Sequence, residues 1–258
     1  MPLNIYNCSI SSDTPENKHR AQHLATQLNL PYCELSQCTT DWLLIYTTKR
    51  LELCHKQNKY GGAIYVDFLT GKSAYRQKQG GGKNQLIAKA VGIKSNYKPT
   101  ILDVTAGLGQ DAFVLACLGC KVQMIERSPI IAALLADGLI RAQQNEDFLQ
   151  NCDLNLLNTD SLSYLKQLLN KKENHPDVIY LDPMYPSRTK SALVKKELRA
   201  LREIVGEDID SAELLNLALL IAKKRVVVKR PKAAPSLNHL KPSIIYTSTN
   251  TRYDVYVK

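Results

Sequence analysis

The sequence predicts an α/β fold: a parallel sheet closed by an antiparallel pair, with a smaller α/β segment ahead of it. Three observations carry this reading. From Thr100 onward short apolar runs alternate with helical stretches, the pattern of strand–helix–strand units joined by right-handed crossovers. A glycine-bearing loop, Gly107 to Gly109, links the first of these strands to the first helix. After the fifth strand no helical pattern returns; two β-rich runs separated only by Asn250-Thr251 read as a hairpin.

The 258 residues suit one large domain, or a catalytic domain with an appendage. Residues 1–98 are expected to form the small α/β unit. LNIYNCSI reads as a strand and Pro15 to Asn29 as a helix with proline in its first turn. WLLIYTT, RLELCH and AIYVDF are short strand candidates, the last introduced by Gly61-Gly62. A Gly/Lys/Arg loop then leads to a short helix, Leu86 to Val91, and Pro99 marks the boundary. In residues 99–258 the strands are expected at 101–105, 121–126, 153–158, 177–182 and 224–230. Helices are expected near 110–118, 129–143, 161–170, 190–205 and 211–222, and the hairpin arms at 243–249 and 252–258. Five parallel strands closed by an antiparallel pair is the Rossmann-like, seven-stranded layout of class I S-adenosylmethionine-dependent methyltransferases.

Charge is unevenly placed. The net +10 divides into two basic flanks around an acidic middle. Residues 1–99 hold 13 Lys/Arg against 6 Asp/Glu, residues 100–180 hold 6 against 10, and residues 181–258 hold 15 against 8. From Phe68 to Leu102, and again from Leu214 to Tyr253, there is no acid at all. A solvated surface usually mixes both signs, so these windows read as a polyanion footprint. No apolar run approaches the roughly 20 residues that span a bilayer, and MPLNIYNCSI lacks a basic segment followed by an apolar one. A cytoplasmic chain without a membrane partner is expected. Seven scattered cysteines, an odd number, read as reduced thiols rather than a disulfide framework. The Cys117/Cys120 pair has no second pair at zinc-ligand spacing, so no metal is expected. His19 and His23 read as surface residues.

The segment Asp103-Val-Thr-Ala-Gly107-Leu-Gly109-Gln110-Asp111-Ala follows a strand and opens a helix. Glycines there let backbone amides approach a ligand at the helix N-terminus. The bare spacing also satisfies the dinucleotide fingerprint, which would imply an NAD(P)-dependent oxidoreductase. Asp111 helps decide, because a carboxylate at that N-terminus repels a pyrophosphate and suits the ammonium of S-adenosylmethionine. Asp111 also fits a helix-end charge, and Asp103 a strand-end cap. Glu126 ends the second strand, where an acid bonds ribose hydroxyls in both cofactor classes. Asp160-Ser161 follows the third strand and suits an adenine amine and a helix N-cap about equally.

Asp182-Pro183-Met184-Tyr185-Pro186 closes the fourth strand. It resembles the (Asp/Asn)-Pro-Pro-Tyr loop of methyltransferases that modify exocyclic amines, with Met in place of the second proline. Such an amine is flat because its lone pair is conjugated with the ring. Acceptors on its two hydrogens, the Asp182 carboxylate and the Pro183 carbonyl, favour the pyramidal nucleophile, and the Tyr185 ring is placed to stack on an unpaired base. Proximity and electrostatics then carry the step. A proline-rich turn is the structural alternative.

With both loops in place, the chain resembles the bacterial small-subunit ribosomal RNA (guanine-N2) methyltransferases of the J type. The resemblance rests on DVTAGLGQDAFVLA, Glu126-Arg127 with its following proline, YLDPMYP, KSALVKKE, KRVVVKRP, GGAIYVDF and the GGGK segment, from about Gly61 to the C-terminus. It implies methylation of one guanine N2 in the 3′ part of 16S rRNA, free or in the 30S subunit, with S-adenosylmethionine as cofactor. It places cofactor contacts at Gln110, Asp111, Glu126, Arg127, Asp160, Ser161 and Asp182. Gln110 stands where the family often has Arg, and Tyr185 where it often has Phe. The remaining matched segments are basic: Arg76, Lys78 and Lys83 around three glycines, Lys190, Lys195 and Lys196 after the acceptor loop, and Lys229, Arg230 and Lys232 leaving strand five. Singly each is ordinary solvated charge; as a set they read as phosphate contacts. An adenine-N6 methyltransferase and a non-catalytic RNA-binding protein are the other readings.

Overall fold

The computed structural model describes residues 7–70, 85–184, 196–206 and 210–258. The chain groups into two compact units that are discontinuous in sequence. One holds Met1–Val66, Pro129–Ile140 and Pro186–Glu207; the other holds Asp67–Ser128, Arg141–Tyr185 and Asp208–Lys258.

The first unit contains a three-stranded sheet of β1 (Cys8–Ser12), β2 (Trp42–Tyr46) and β3 (Leu51–His55). β1 runs parallel to β2, and β3 pairs β2 in the antiparallel sense. Between β1 and β2, Pro15–Asn17 forms a tight turn that opens helix α1 (Lys18–Leu28). Ala21, Leu24 and Ala25 recur at helical spacing and are buried. The helix stops at Asn29, whose left-handed φ of 52° lets its amide return to the Ala25 and Thr26 carbonyls. The expected strand AIYVDF contracts to one bridge, in which Leu53 and Ile64 exchange both backbone hydrogen bonds at 2.8 Å. Its end is fixed locally, because the Asp67 carboxylate accepts from the amides of Leu69 and Thr70, an Asx turn that competes with a ladder. The reading of seven thiols also needs correction. The short turn Leu35–Gln37 brings Cys33 and Cys38 to a Cα separation of 5.5 Å, and they are joined as a disulfide. His19 and His23 are exposed, as expected.

The second unit is built on the seven-stranded sheet. Its strands are β4 (Thr100–Asp103), β5 (Lys121–Glu126), β6 (Asp153–Asn158), β7 (Val178–Leu181), β8 (Arg225–Pro231), β9 (Ile244–Thr247) and β10 (Thr251–Val257). Their spatial order is β6-β5-β4-β7-β8-β10-β9. The first five are mutually parallel; β10 pairs antiparallel with both β8 and β9. Central strands buried on both faces need unbroken apolar runs. Val178–Leu181 and Val226–Val228 supply them and are fully buried.

The described helices of this unit are α2 (Leu86–Val91), α3 (Gln110–Cys117), α5 (Glu146–Asn151), α6 (Ser161–Leu169) and α8 (Ser211–Ile221), whereas α4 (Pro129–Ala142), but for its last two residues, and α7 (Lys196–Val205) fall in the first. Pro129 opens α4, where its missing amide costs nothing. Leu165 and Leu168 of α6 and Leu214, Leu215, Ala218 and Ile221 of α8 share a core with Leu102, Ile125, Ile179, Val226 and Val228 of the strands. Helix α5 was not expected, though its signal is present: Asn145 caps it by accepting from the Phe148 amide, and Glu146 and Asp147 fill its first turn.

The strand order reverses at one place. From β4 the chain proceeds to β5 and β6 on one side, then to β7 and β8 on the other. In open sheets the crevice at such a switch point, beyond the carboxyl ends of the strands, is where ligands bind. Asp103 ends β4 and pairs in register with Tyr180 of β7, two residues before Asp182.

Candidate active site

The glycine loop leaves β4 and enters α3 through left-handed backbone at Gly107 (φ 54°) and Gly109 (φ 70°). A side chain at Gly107 would meet no atom within 4 Å, so the loop borders open space and glycine is needed there for conformation. Gly109 N-caps α3, placing Gln110 and Asp111 in its first turn, with Gln110 exposed.

Among the described residues, three carboxylates and one ammonium gather at the carboxyl ends of β4, β7 and β8. Lys229 Nζ donates to Asp111 at 2.6 Å and to Asp182 at 2.8 Å. The Tyr180 hydroxyl donates to the same Asp111 oxygen at 2.6 Å. Asp103 is buried and accepts from the Thr105 amide at 3.0 Å. The acceptor loop is fastened to the glycine loop through its backbone: the Asp182 amide donates to the Thr105 hydroxyl at 2.6 Å.

The electrostatics follow from crowding. Burial pushes the Asp103 carboxyl up to about 8; the Thr105 amide opposes this, Asp111 and Asp182 add to the rise, and Lys229 offsets part of it. Burial alone would lower the Lys229 ammonium, but Asp182 and Asp111 beside it hold it above the ordinary lysine value. Burial, with the Asp111 charge behind it, keeps the Tyr180 phenol well above its usual value. Lys229 is therefore a full cation and Tyr180 a neutral donor near neutral pH.

On the β5 and β6 side the groups are held by the main chain. Glu126 is buried, and its two oxygens accept from the amides of Gly107 at 2.9 Å and Ser128 at 2.7 Å. These bonds orient the Glu126 carboxylate at the end of β5. Asp160 N-caps α6 through the Ser163 amide at 2.8 Å, the geometry of the capping alternative. Partial burial works against its charge, but the Ser163 hydroxyl and amide hold its carboxyl below the usual range. The buried Ser161 hydroxyl donates to the Val104 carbonyl at 2.7 Å, tying α6 to the end of β4. Arg127 pairs with Asp210 at 3.3 Å.

The structure thus gathers Asp103, Gly107, Gly109, Asp111, Glu126, Asp160, Ser161 and Asp182 along one edge of the sheet, with Pro183 buried beside Asp182. Tyr185, Arg76, Lys78, Lys83, Lys190 and Lys195 lie outside the described residues, and Lys196 is placed only as the first residue of α7. Two expected phosphate contacts are corrected. Lys229 points into the carboxylate cluster, and Arg230, 3% exposed, donates to the Pro235 carbonyl. Neither presents its charge to solvent, whereas Lys232 is exposed. The roles of Lys229, Tyr180 and Thr105 escaped the sequence reading. The register was the usable signal: Leu181 pairs with Val228, so Asp182 and Lys229 leave neighbouring strands at the same level.

The fit of S-adenosylmethionine can be judged on these contacts. Its amino-acid end carries an ammonium, and Asp111 already holds an ammonium, that of Lys229. Its ribose needs acceptors at the end of β5, where Glu126 stands. The donor set fits the molecule.

Comparisons with known proteins agree. Residues 23–258 match the family described as "Putative SAM-dependent methyltransferase". The "Ribosomal RNA small subunit methyltransferase J" of Coxiella burnetii (strain RSA 331 / Henzerling II) is 51% identical over 249 residues, covering 96% of each chain. The protein of the same name from Tolumonas auensis is 46% identical over 255 residues, covering 98% of this chain and 99% of the relative. Among solved structures, a SAM-dependent methyltransferase from Neisseria gonorrhoeae superposes with a TM-score of 0.73 at 34% identity, covering 96% of this chain and 95% of the other. No described helix is long and apolar enough to cross a membrane.

Proposed function

The chain belongs to the ribosomal RNA small subunit methyltransferase J family, and on that premise we propose that it methylates the exocyclic N2 of one guanine in the 3′ region of 16S rRNA, using S-adenosylmethionine in the cytoplasm. The observation that carries the acceptor assignment is the placement of Asp182-Pro183 at the switch point beside the glycine loop, with the Asp182 amide anchored to Thr105. Family membership removes the NAD(P)-dependent alternative for the same loop.

When bound, S-adenosylmethionine supplies a methyl group activated by its sulfonium centre. The protein's part is to hold and orient. Glu126 receives the ribose hydroxyls, Asp111 faces the amino-acid end, and Asp160 with Ser161 borders the adenine. The Asp182 carboxylate and the Pro183 carbonyl accept the two hydrogens of the guanine amine, localising its lone pair for in-line attack. As the nitrogen gains its fourth bond, Asp182 balances the growing positive charge and takes the surplus proton. The Tyr185 ring stacks on the flipped base. Phosphates of the RNA are met by the basic set Arg76, Lys78, Lys83, Lys190, Lys195, Lys196 and Lys232, which flanks an acidic middle segment in the sequence.

The test is transfer of tritiated methyl from S-adenosylmethionine to 30S subunits and to free 16S rRNA, followed by nucleoside analysis. Label is expected in N2-methylguanosine. Label in N6-methyladenosine would overturn the guanine assignment, and the comparison of the two substrates identifies the true acceptor.

A further inference from the structure

Lys229 stands out because its ammonium is turned onto two carboxylates of the site. Its ammonium is retained in a half-buried site between two carboxylates, at 2.6 and 2.8 Å. Holding a charge there needs a purpose, since desolvating an ion is costly unless it is paired. The pairing joins two groups with separate tasks, Asp111 at the cofactor end and Asp182 at the acceptor end.

We propose that Lys229 is a positioning residue of methyl transfer: bridging Asp111 and Asp182, it fixes the orientation of the Asp182 carboxylate and keeps it in the ionised form that accepts the amine hydrogens. This role rests on the methyl-transfer reading above. The groups facing the cluster make the need plain. Asp103 arrives from β4, Asp111 from α3, Tyr180 from β7, Asp182 from the loop after β7, and Tyr253 of β10 lies opposite Lys229 in register. Of these described groups, Lys229 is the cation and the others are acids or phenols. Without the lysine, Asp182, whose side chain is 40% exposed, would face the charges of Asp111 and Asp103 with the Lys229 ammonium no longer between them. Like charges so placed favour uptake of a proton, and a protonated Asp182 offers a donor where the reaction requires an acceptor. The β7–β8 register builds the contact into the sheet, because Leu181 pairs with Val228 and the next residue of each strand carries the charge.

The experiment follows the Asp182 carboxyl by carbon NMR in protein labelled at aspartate carboxyls, with Asp182→Asn and Asp111→Asn spectra for assignment. Lys229→Met should raise the midpoint of Asp182 titration by about one pH unit or more, the size of effect expected for loss of an adjacent opposite charge. Lys229→Arg should keep it close to wild type. In parallel, the acid limb of kcat for methyl transfer should move to higher pH by the same amount in Lys229→Met and remain in place in Lys229→Arg, with the KM for S-adenosylmethionine changing less than kcat. Thermal unfolding identifies any variant that fails to fold, and Lys229→Gln then replaces the methionine variant. An unmoved Asp182 midpoint in an active, folded Lys229→Met protein overturns the role of Lys229. A wild-type protein that methylates no 16S rRNA at any pH overturns the proposed function instead, so the two failures are distinguishable.

Discussion

The two ends of the cofactor crevice are built by opposite strategies. At the β5 and β6 end the acids are fixed by the main chain: Glu126 by the amides of Gly107 and Ser128, Asp160 by the amide of Ser163. At the β4, β7 and β8 end Asp103 accepts from the Thr105 amide, but Asp111 and Asp182 are held by other side chains, with Lys229 shared between them and Tyr180 on Asp111. Amides do not titrate or swing away, so the first end is preorganised over a wide pH range. Side-chain pairs depend on every partner's charge, so the second end is sensitive to pH and to single substitutions. The contrast suits the chemistry: a nucleoside needs a constant mould, whereas the reacting amine changes its charge.

That difference can be broken at three points. Asp182→Asn keeps the shape and one acceptor oxygen but removes the charge. It should lower kcat by about 10²–10³-fold, the scale for losing one preorganised electrostatic group, while RNA affinity in a filter-binding titration stays at the wild-type value. Glu126→Gln replaces one acceptor oxygen with a carboxamide NH2 group, a donor that cannot receive a backbone amide hydrogen. Leaving a buried donor unmade costs about 1–3 kcal/mol, and calorimetry should show S-adenosylmethionine binding roughly 10-fold weaker, about 1.4 kcal/mol, with a pH profile unchanged from wild type. Asp160→Ala should show the smallest effect, about 1 kcal/mol of stability in denaturant unfolding from loss of the N-cap. An acid limb displaced in Glu126→Gln would contradict the division between a main-chain-held end and a side-chain-held end.

Much of the second unit was legible because its determinants are local. Val226–Val228 and Val178–Leu181 are apolar on both faces, and Gly107 and Gly109 occupy left-handed backbone that few other residues tolerate. The glycine loop, Glu126 and Asp182 therefore declared themselves in order along the chain. Lys229 did not, because a lysine after a strand resembles a solvated charge until the register with β7 sets it beside Asp182. Arg230 was misread for the same reason: alternation along β8 turns it inward, where it reaches the Pro235 carbonyl. Nearer the N-terminus, AIYVDF gives way to an Asx turn at Asp67, and the Cys33–Cys38 bond spans a turn between the two cysteines. These are side-chain and loop geometries that hydrophobic periodicity does not encode.

The central claim is methylation of guanine N2 in 16S rRNA through Asp182. Its most direct test is the modified-nucleoside content of 16S rRNA from cells lacking this chain, compared with the same cells carrying the wild-type or Asp182→Asn protein. One N2-methylguanosine per 16S rRNA should be missing in the deletion, restored by the wild type, and still missing with Asp182→Asn. An unchanged N2-methylguanosine content in the deletion, or full restoration by Asp182→Asn, would contradict the account.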